Sequence, residues 1–179
     1  TGVSRLRGFR EGMAAHGLAV REDLVAYAAR YTVEEGTRCA RELLAVQGGF
    51  TAVAAANDML AVGCYAALDE VGLQCPDDIS VIGFNDMPFI DRLRPPLTTV
   101  RFPHYQLGTE AAQLLLERIG HREAPVKILY LAPELVVRKS VAAPAGSAAQ
   151  SDAPDAGGTA RLTPVPLRQA GSRRAGGTS

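Results

Sequence analysis

The chain has 179 residues, 47% apolar and 21% charged, with 19 basic groups against 19 acidic ones. This is the composition of a soluble globular protein about one domain long. Four Arg but only two Asp lie in residues 141–179, so the first 140 residues are slightly acidic and lack the basic footprint that gripping DNA requires.

In chain order, Ser4 is placed to cap a first helix with Leu6, Phe9 and Met13 on one face, closed by Gly17. "LVAYA" (24–28) reads as a short buried strand. Thr32 and Glu35 form a T-x-x-E capping box ahead of a helix that turns Cys39, Ala40, Leu43 and Leu44 inward. "TAVAA" (51–55) is the next strand. Asp58 then starts a helix with Leu60, Cys64, Leu68 and Val71 at helical spacing, ended by Gly72. "ISVIGF" (79–84) is continuous and β-branched, as a parallel strand covered on both faces should be. After "NDMPFIDRLRPP" come a strand "LTTVRF", a helix over about 103–119, and "VKILYLAPELVVRKS", which reads as two short strands. From residue 141 the chain is Ala, Gly, Pro, Ser and Thr with scattered charges. It buries too little apolar surface to offset its ordering entropy and is expected to be a disordered tail, 141–179.

Strands alternating with helices imply an α/β fold, a Rossmann-like parallel sheet flanked by helices. In such sheets ligands sit beyond the carboxyl ends of the strands, where Asn57-Asp58 follows one strand and Asn85-Asp86 the next. Asp58 has the chemistry of a helix N-cap, which leaves Asn57 without an obvious local task. Asn85 and Asp86 suit a plain turn, and Asn85 equally suits a ligand contact. Arg5 lies near a helix start, where a cation opposes the helix dipole, so a polar ligand would account for its position better than solvent does. Tyr31 stands at another strand-to-helix junction, either as a half-buried staple or as a flat face against a ring.

Signatures of catalysis are missing. There is no H-E-x-x-H, no G-x-S-x-G, no G-x-x-x-x-G-K-[ST] and no G-x-G-x-x-G, so binding is the stronger class and neither a cofactor nor a metal is expected. Cys39, Cys64 and Cys75 form no C-x-x-C pair and read as small buried hydrophobes in a reducing compartment. No stretch approaches the ~18 consecutive apolar residues of a membrane span. The charged start "TGVSRLRGF" is not followed by the apolar run of a signal peptide. The expected location is the cytoplasm.

The segments R-L-R-G-F (5–9), "FTAVAAANDMLAVGCYAALDEVGLQCPDDISVIGFND" (50–86), "PPLTTVRFP" (95–103), "LGTEAAQLLLERI" (107–119) and "LAPELVVRKS" (131–140) together resemble the LacI/GalR family of bacterial transcription regulators. The resemblance covers residues 1–140 and implies an effector-binding domain like that of periplasmic binding proteins (type I), here mostly the C-terminal subdomain. It implies a sugar or similar metabolite as effector, contacted by Arg5, Asn57 and Asn85, with Tyr31 lining the pocket. It also implies a homodimer through the helix 58–71 and "FIDRLRPPLTTV", with Gly63 and Ala66 admitting a partner or packing on the chain's own sheet. Operator DNA would be read only by a headpiece absent from this chain, which is expected to start just after the strand preceding its first helix. Many relatives carry Asp where this chain has Asn85, so a charge-assisted acceptor is lost there. The rival readings are an exported sugar-binding protein of a transporter and an α/β enzyme such as a dehydrogenase.

Overall fold

The computed structural model describes residues 2–123 and 125–144. Most of the expected 141–179 tail, from residue 145 on, lies outside the described residues. The body does not stop at residue 140, however, because the Ala142 N–H donates to the Ser80 hydroxyl (3.1 Å).

Among the described residues four α-helices and four strands follow one another: α1 (Gly2–Ala15), α2 (Val33–Leu44), β1 (Ala52–Ala54), α3 (Asp58–Glu70), β2 (Ser80–Asn85), β3 (Thr98–Arg101), α4 (His104–Gly120) and β4 (Glu134–Val136). The sheet order is β1-β2-β3-β4. The first two pairings are parallel and β3–β4 is antiparallel. The core lies between the sheet and the α2–α3 pair, where Ala40, Ala61, Cys64, Leu68, Val81 and Leu97 are buried. Burial pushes the Cys64 thiol up to about 12, and all three cysteines are free. Cys64 is a buried apolar residue as expected, whereas Cys39 and Cys75 are only half-buried.

Small residues bring α2 and α3 together. A Cβ on Gly63 would stand 2.2 Å from the Val33 carbonyl oxygen and 2.6 Å from Gly36 Cα. The close approach at Gly63 is therefore to α2 of the same chain and not to a partner. Ala66, by contrast, is exposed. In the segment 89–100, Ile90 and Leu97 enter this chain's own core while Phe89 stays outside.

Several local expectations are corrected. Ser4 sits inside α1, which already runs from Gly2. Gly17 does close that helix, at φ 71° with its N–H on the Ala14 carbonyl (3.0 Å). "LVAYA" forms no strand. Its first residue belongs to a 3-10 turn at Glu22–Leu24, and Tyr27 is 70% exposed. A short apolar run has no ladder to join unless a neighbouring strand offers one, and β1 pairs on one side only among the described residues. The capping box is one-sided. Thr32 Oγ1 accepts from the Glu35 N–H (3.3 Å), but the Glu35 carboxylate turns to the Ala29 N–H (2.7 Å) and Arg38. Only one strand, β4, forms in the final stretch, and residues 126–130 join no strand and are largely exposed.

The end of that stretch does return to the sheet. Ser140 is fully buried, its hydroxyl donating to the Val81 carbonyl (2.6 Å) and accepting from the Thr98 N–H (2.8 Å). It thereby joins β2 to β3. Helices α1 and α4 bury no residue.

Candidate effector site

Side chains alternate along a strand. A Cβ on Gly83 would point at Asp58 on α3, so its neighbour Phe84 faces the opposite layer, where α1 lies. The Arg5 guanidinium stacks over the Phe84 ring, 3.9 Å from its centroid, a cation–π contact. Its Nη1 donates to the Ala56 carbonyl (2.5 Å). Arg5 thus bridges the end of β1 and the end of β2. Phe102, just past β3, packs on Phe84 with centroids 5.0 Å apart, and His104 follows at 6.3 Å from Phe102. Tyr31, 44% exposed, places its hydroxyl beside Gly2, 3.2 Å from where a Cβ would stand and one turn from Arg5.

The two Asn-Asp pairs divide their work differently from the expectation. Asn57, not Asp58, is the N-cap of α3, with Oδ1 accepting from the Leu60 N–H (2.9 Å). The extended backbone at Asn57 sets the cap geometry, and Asp58 is already the first helical residue. Asp58 is fully buried. Its carboxylate accepts from the Thr99 hydroxyl (2.6 Å) and the Met87 N–H (2.8 Å). It therefore ties α3 to β3 and to the loop after β2.

Asn85 has φ 118° and Asp86 φ 58°. Non-glycine residues in this half of backbone space cost of order 1–3 kcal/mol and cluster at functional sites. Asp86 is more than a turn residue. Its two oxygens accept from Arg138 Nη2 (2.6 Å) and Arg101 Nε (2.5 Å), and Arg138 also holds the Leu97 carbonyl (2.8 Å). This clamp fixes the left-handed pair at the end of β2. The Asn85 carbonyl lies 3.3 Å from His104 Nε2.

Burial alone would raise the Asp86 carboxyl, but the bonds from Arg138 and Arg101 outweigh it and hold the group below the usual carboxylate range. A depressed carboxyl stabilises the fold above its unfolded-state pKa, near 3.9, and that contribution is lost as pH falls through the lower folded value. We expect the melting temperature to fall more between pH 6 and pH 3 in the native protein than in Asp86→Asn. Equal losses measured by circular dichroism would contradict the clamp.

Phe84, Phe102, His104 and Arg138 were not singled out in the sequence. Each is an ordinary member of a predicted strand or helix, and only the layer it faces distinguishes it. A concavity of about 520 Å³ lies away from these residues, between α4 and the chain after it, and is lined by Leu114, Glu117, Arg118, Val126 and Lys127. It is walled by elements without core packing, so the strand ends remain the better site.

Residues 1–141 match the family described as periplasmic binding protein-like domain. The chain belongs to this family. The chain is similar to bacterial transcription regulators. It is 36% identical over 141 residues to the HTH-type transcriptional repressor PurR of Mannheimia succiniciproducens, covering 79% of this chain and 42% of the relative. Identity to PurR of Histophilus somni (strain 129Pt) is 38% over the same coverage. Among solved structures it is similar to a transcriptional regulator CelR–cellobiose complex, with TM-score 0.73 and 35% identity over 77% of this chain and 42% of that one. A LacI family regulator from Enterococcus faecium with bound ribose gives TM-score 0.68 and 30% identity over 79% and 52%. The chain spans less than half the length of the curated relatives it matches. Among the described residues no helix is long and apolar enough to cross a membrane.

Proposed function

We propose that this periplasmic binding protein-like domain senses a small metabolite, a sugar or a derivative of one, at the carboxyl edge of its sheet. It does so for a cytoplasmic LacI/GalR-type transcription regulator that acts as a homodimer. Arg5, Tyr31, Asn57 and Asn85 are the effector contacts, and operator DNA is bound by a headpiece outside this chain. The observation that carries the reading is the placement of Arg5. Its charge is seated on an aromatic face where two strands end, and its bonded partner is a neutral carbonyl. That arrangement holds a multi-donor group rigidly while leaving further N–H groups for a ligand.

No step of catalysis is assigned to the domain. Binding an effector across this edge would favour one relative placement of the strand ends, and a regulator responds only through such differential affinity. The test uses the full-length gene product on operator DNA. Arg5→Ala should leave effector-free operator binding near normal and abolish the response to the metabolite that shifts the native protein. A variant responding at the native effector concentration would refute the proposal.

A further inference from the structure

We infer, resting on the site just proposed, that the effector presents an anionic oxygen group, carboxylate or phosphate, to Arg5. The acidic groups at this edge already have donors within the protein. Asp58 accepts from Thr99 and Met87. Asp86 accepts from Arg138 and Arg101, and Glu134 also faces Arg101 at 3.5 Å. At the start of α2, Glu35 accepts from Ala29 and Arg38. Its neighbour Glu34 is held low by its own backbone N–H and by the Thr32 hydroxyl. The Asn57 amide oxygen is taken by the cap of α3. The carboxylates that these elements bring to the edge are therefore occupied.

Donors are left over. The Asn57 amide keeps its NH2 group as donors, Arg5 has used one nitrogen on the Ala56 carbonyl, and among the described residues its charge meets a ring face and no carboxylate. A neutral polyol needs an acceptor for each hydroxyl proton as well as donors for each oxygen. Against the remaining Arg5 N–H groups, the proposed contacts offer as side-chain acceptors chiefly the Asn85 amide oxygen and the Tyr31 hydroxyl, neither of them charged. A carboxylate or phosphate only accepts, and a planar guanidinium can hold it through two parallel N–H bonds. Asn85, an amide at the end of β2, admits such a group where a carboxylate would repel it.

The test is calorimetric titration of the full-length gene product with two series: glucose, glucuronate and glucose 6-phosphate, and ribose and ribose 5-phosphate. We expect at least one anionic member to bind tenfold or more tightly than its neutral parent, with affinity falling as salt rises. Which anion binds separates a carboxylate effector from a phosphate one. Asn85→Asp, which adds a charge without changing size, should weaken that binding at least tenfold, and Arg5→Met should do the same. A neutral sugar bound as tightly as its anionic derivative, yet still lost in Arg5→Met, would overturn the anion and leave the site standing. Tight binding untouched by both substitutions would overturn the site itself.

Discussion

Gly63→Ala should lower the stability of the domain by about 3 kcal/mol or more, at the upper end of what overpacking costs. The added methyl would stand 2.2 Å from the Val33 carbonyl oxygen, 2.5 Å from Thr37 N and 2.6 Å from Gly36 Cα. All three obstacles are backbone, so no rotamer change can clear them, and α2 would have to move away from α3. That movement would also break the bond from the Thr37 hydroxyl to the Gly63 carbonyl (3.2 Å) and open the layer that buries Ala40 and Ala61. Gly12→Ala is the control. It lies in α1 with nothing within 4 Å of the new carbon, and should stabilise by up to about 1 kcal/mol through helix propensity. Urea unfolding of both variants checks the pair, and equal stabilities would contradict the packing described.

Asp58→Ala should also cost about 3 kcal/mol, because it strands the part-buried Met87 N–H and the buried Thr99 hydroxyl, with about 1–3 kcal/mol lost for a buried group left unpaired. A mere cap would cost about 1 kcal/mol, and that smaller loss belongs to Asn57→Ala, whose side chain is the cap. The order of the two losses is the informative result. If Asn57→Ala proved the more damaging in thermal unfolding, the division of labour within the pair would be wrong. Thr99→Val should recover part of the Asp58→Ala deficit in a double-mutant cycle, since it removes the stranded hydroxyl.

The contrast between these two residues shows what was legible in the sequence. The existence of α3 and its start at an Asn-Asp pair were readable, because capping chemistry is local. Which of two adjacent oxygens caps and which turns inward was not, because both residue types suit both tasks and the choice is made by Thr99, 41 positions away. The parallel strands β1, β2 and β3 were readable from apolar runs bounded by turn residues. "LVAYA" has the same signal and yet stays outside the sheet, since a strand also needs a neighbour. At the site, Arg5 was conspicuous because it opposes a helix dipole. Its platform, Phe84, was hidden inside a uniformly apolar strand, where nothing local tells which layer a ring faces.

Asn57 and Asn85 are each followed by an aspartate that is fastened to a different strand, Asp58 to β3 and Asp86 to β3 and the chain beyond β4. The amides therefore sit on braced positions, as groups that must keep a fixed geometry should.

Arg5, before any other residue, would make the strand ends an effector site. Calorimetric titration of Arg5→Ala in the full-length gene product, with the metabolite that releases or recruits it at its operator, is the most direct measurement. Removing a charged partner from a ligand bond costs about 1–3 kcal/mol or more, so affinity should fall at least tenfold, and the melting temperature of the free protein should fall as well, because the Ala56 bond and the Phe84 stacking are lost. Unchanged affinity would contradict the site.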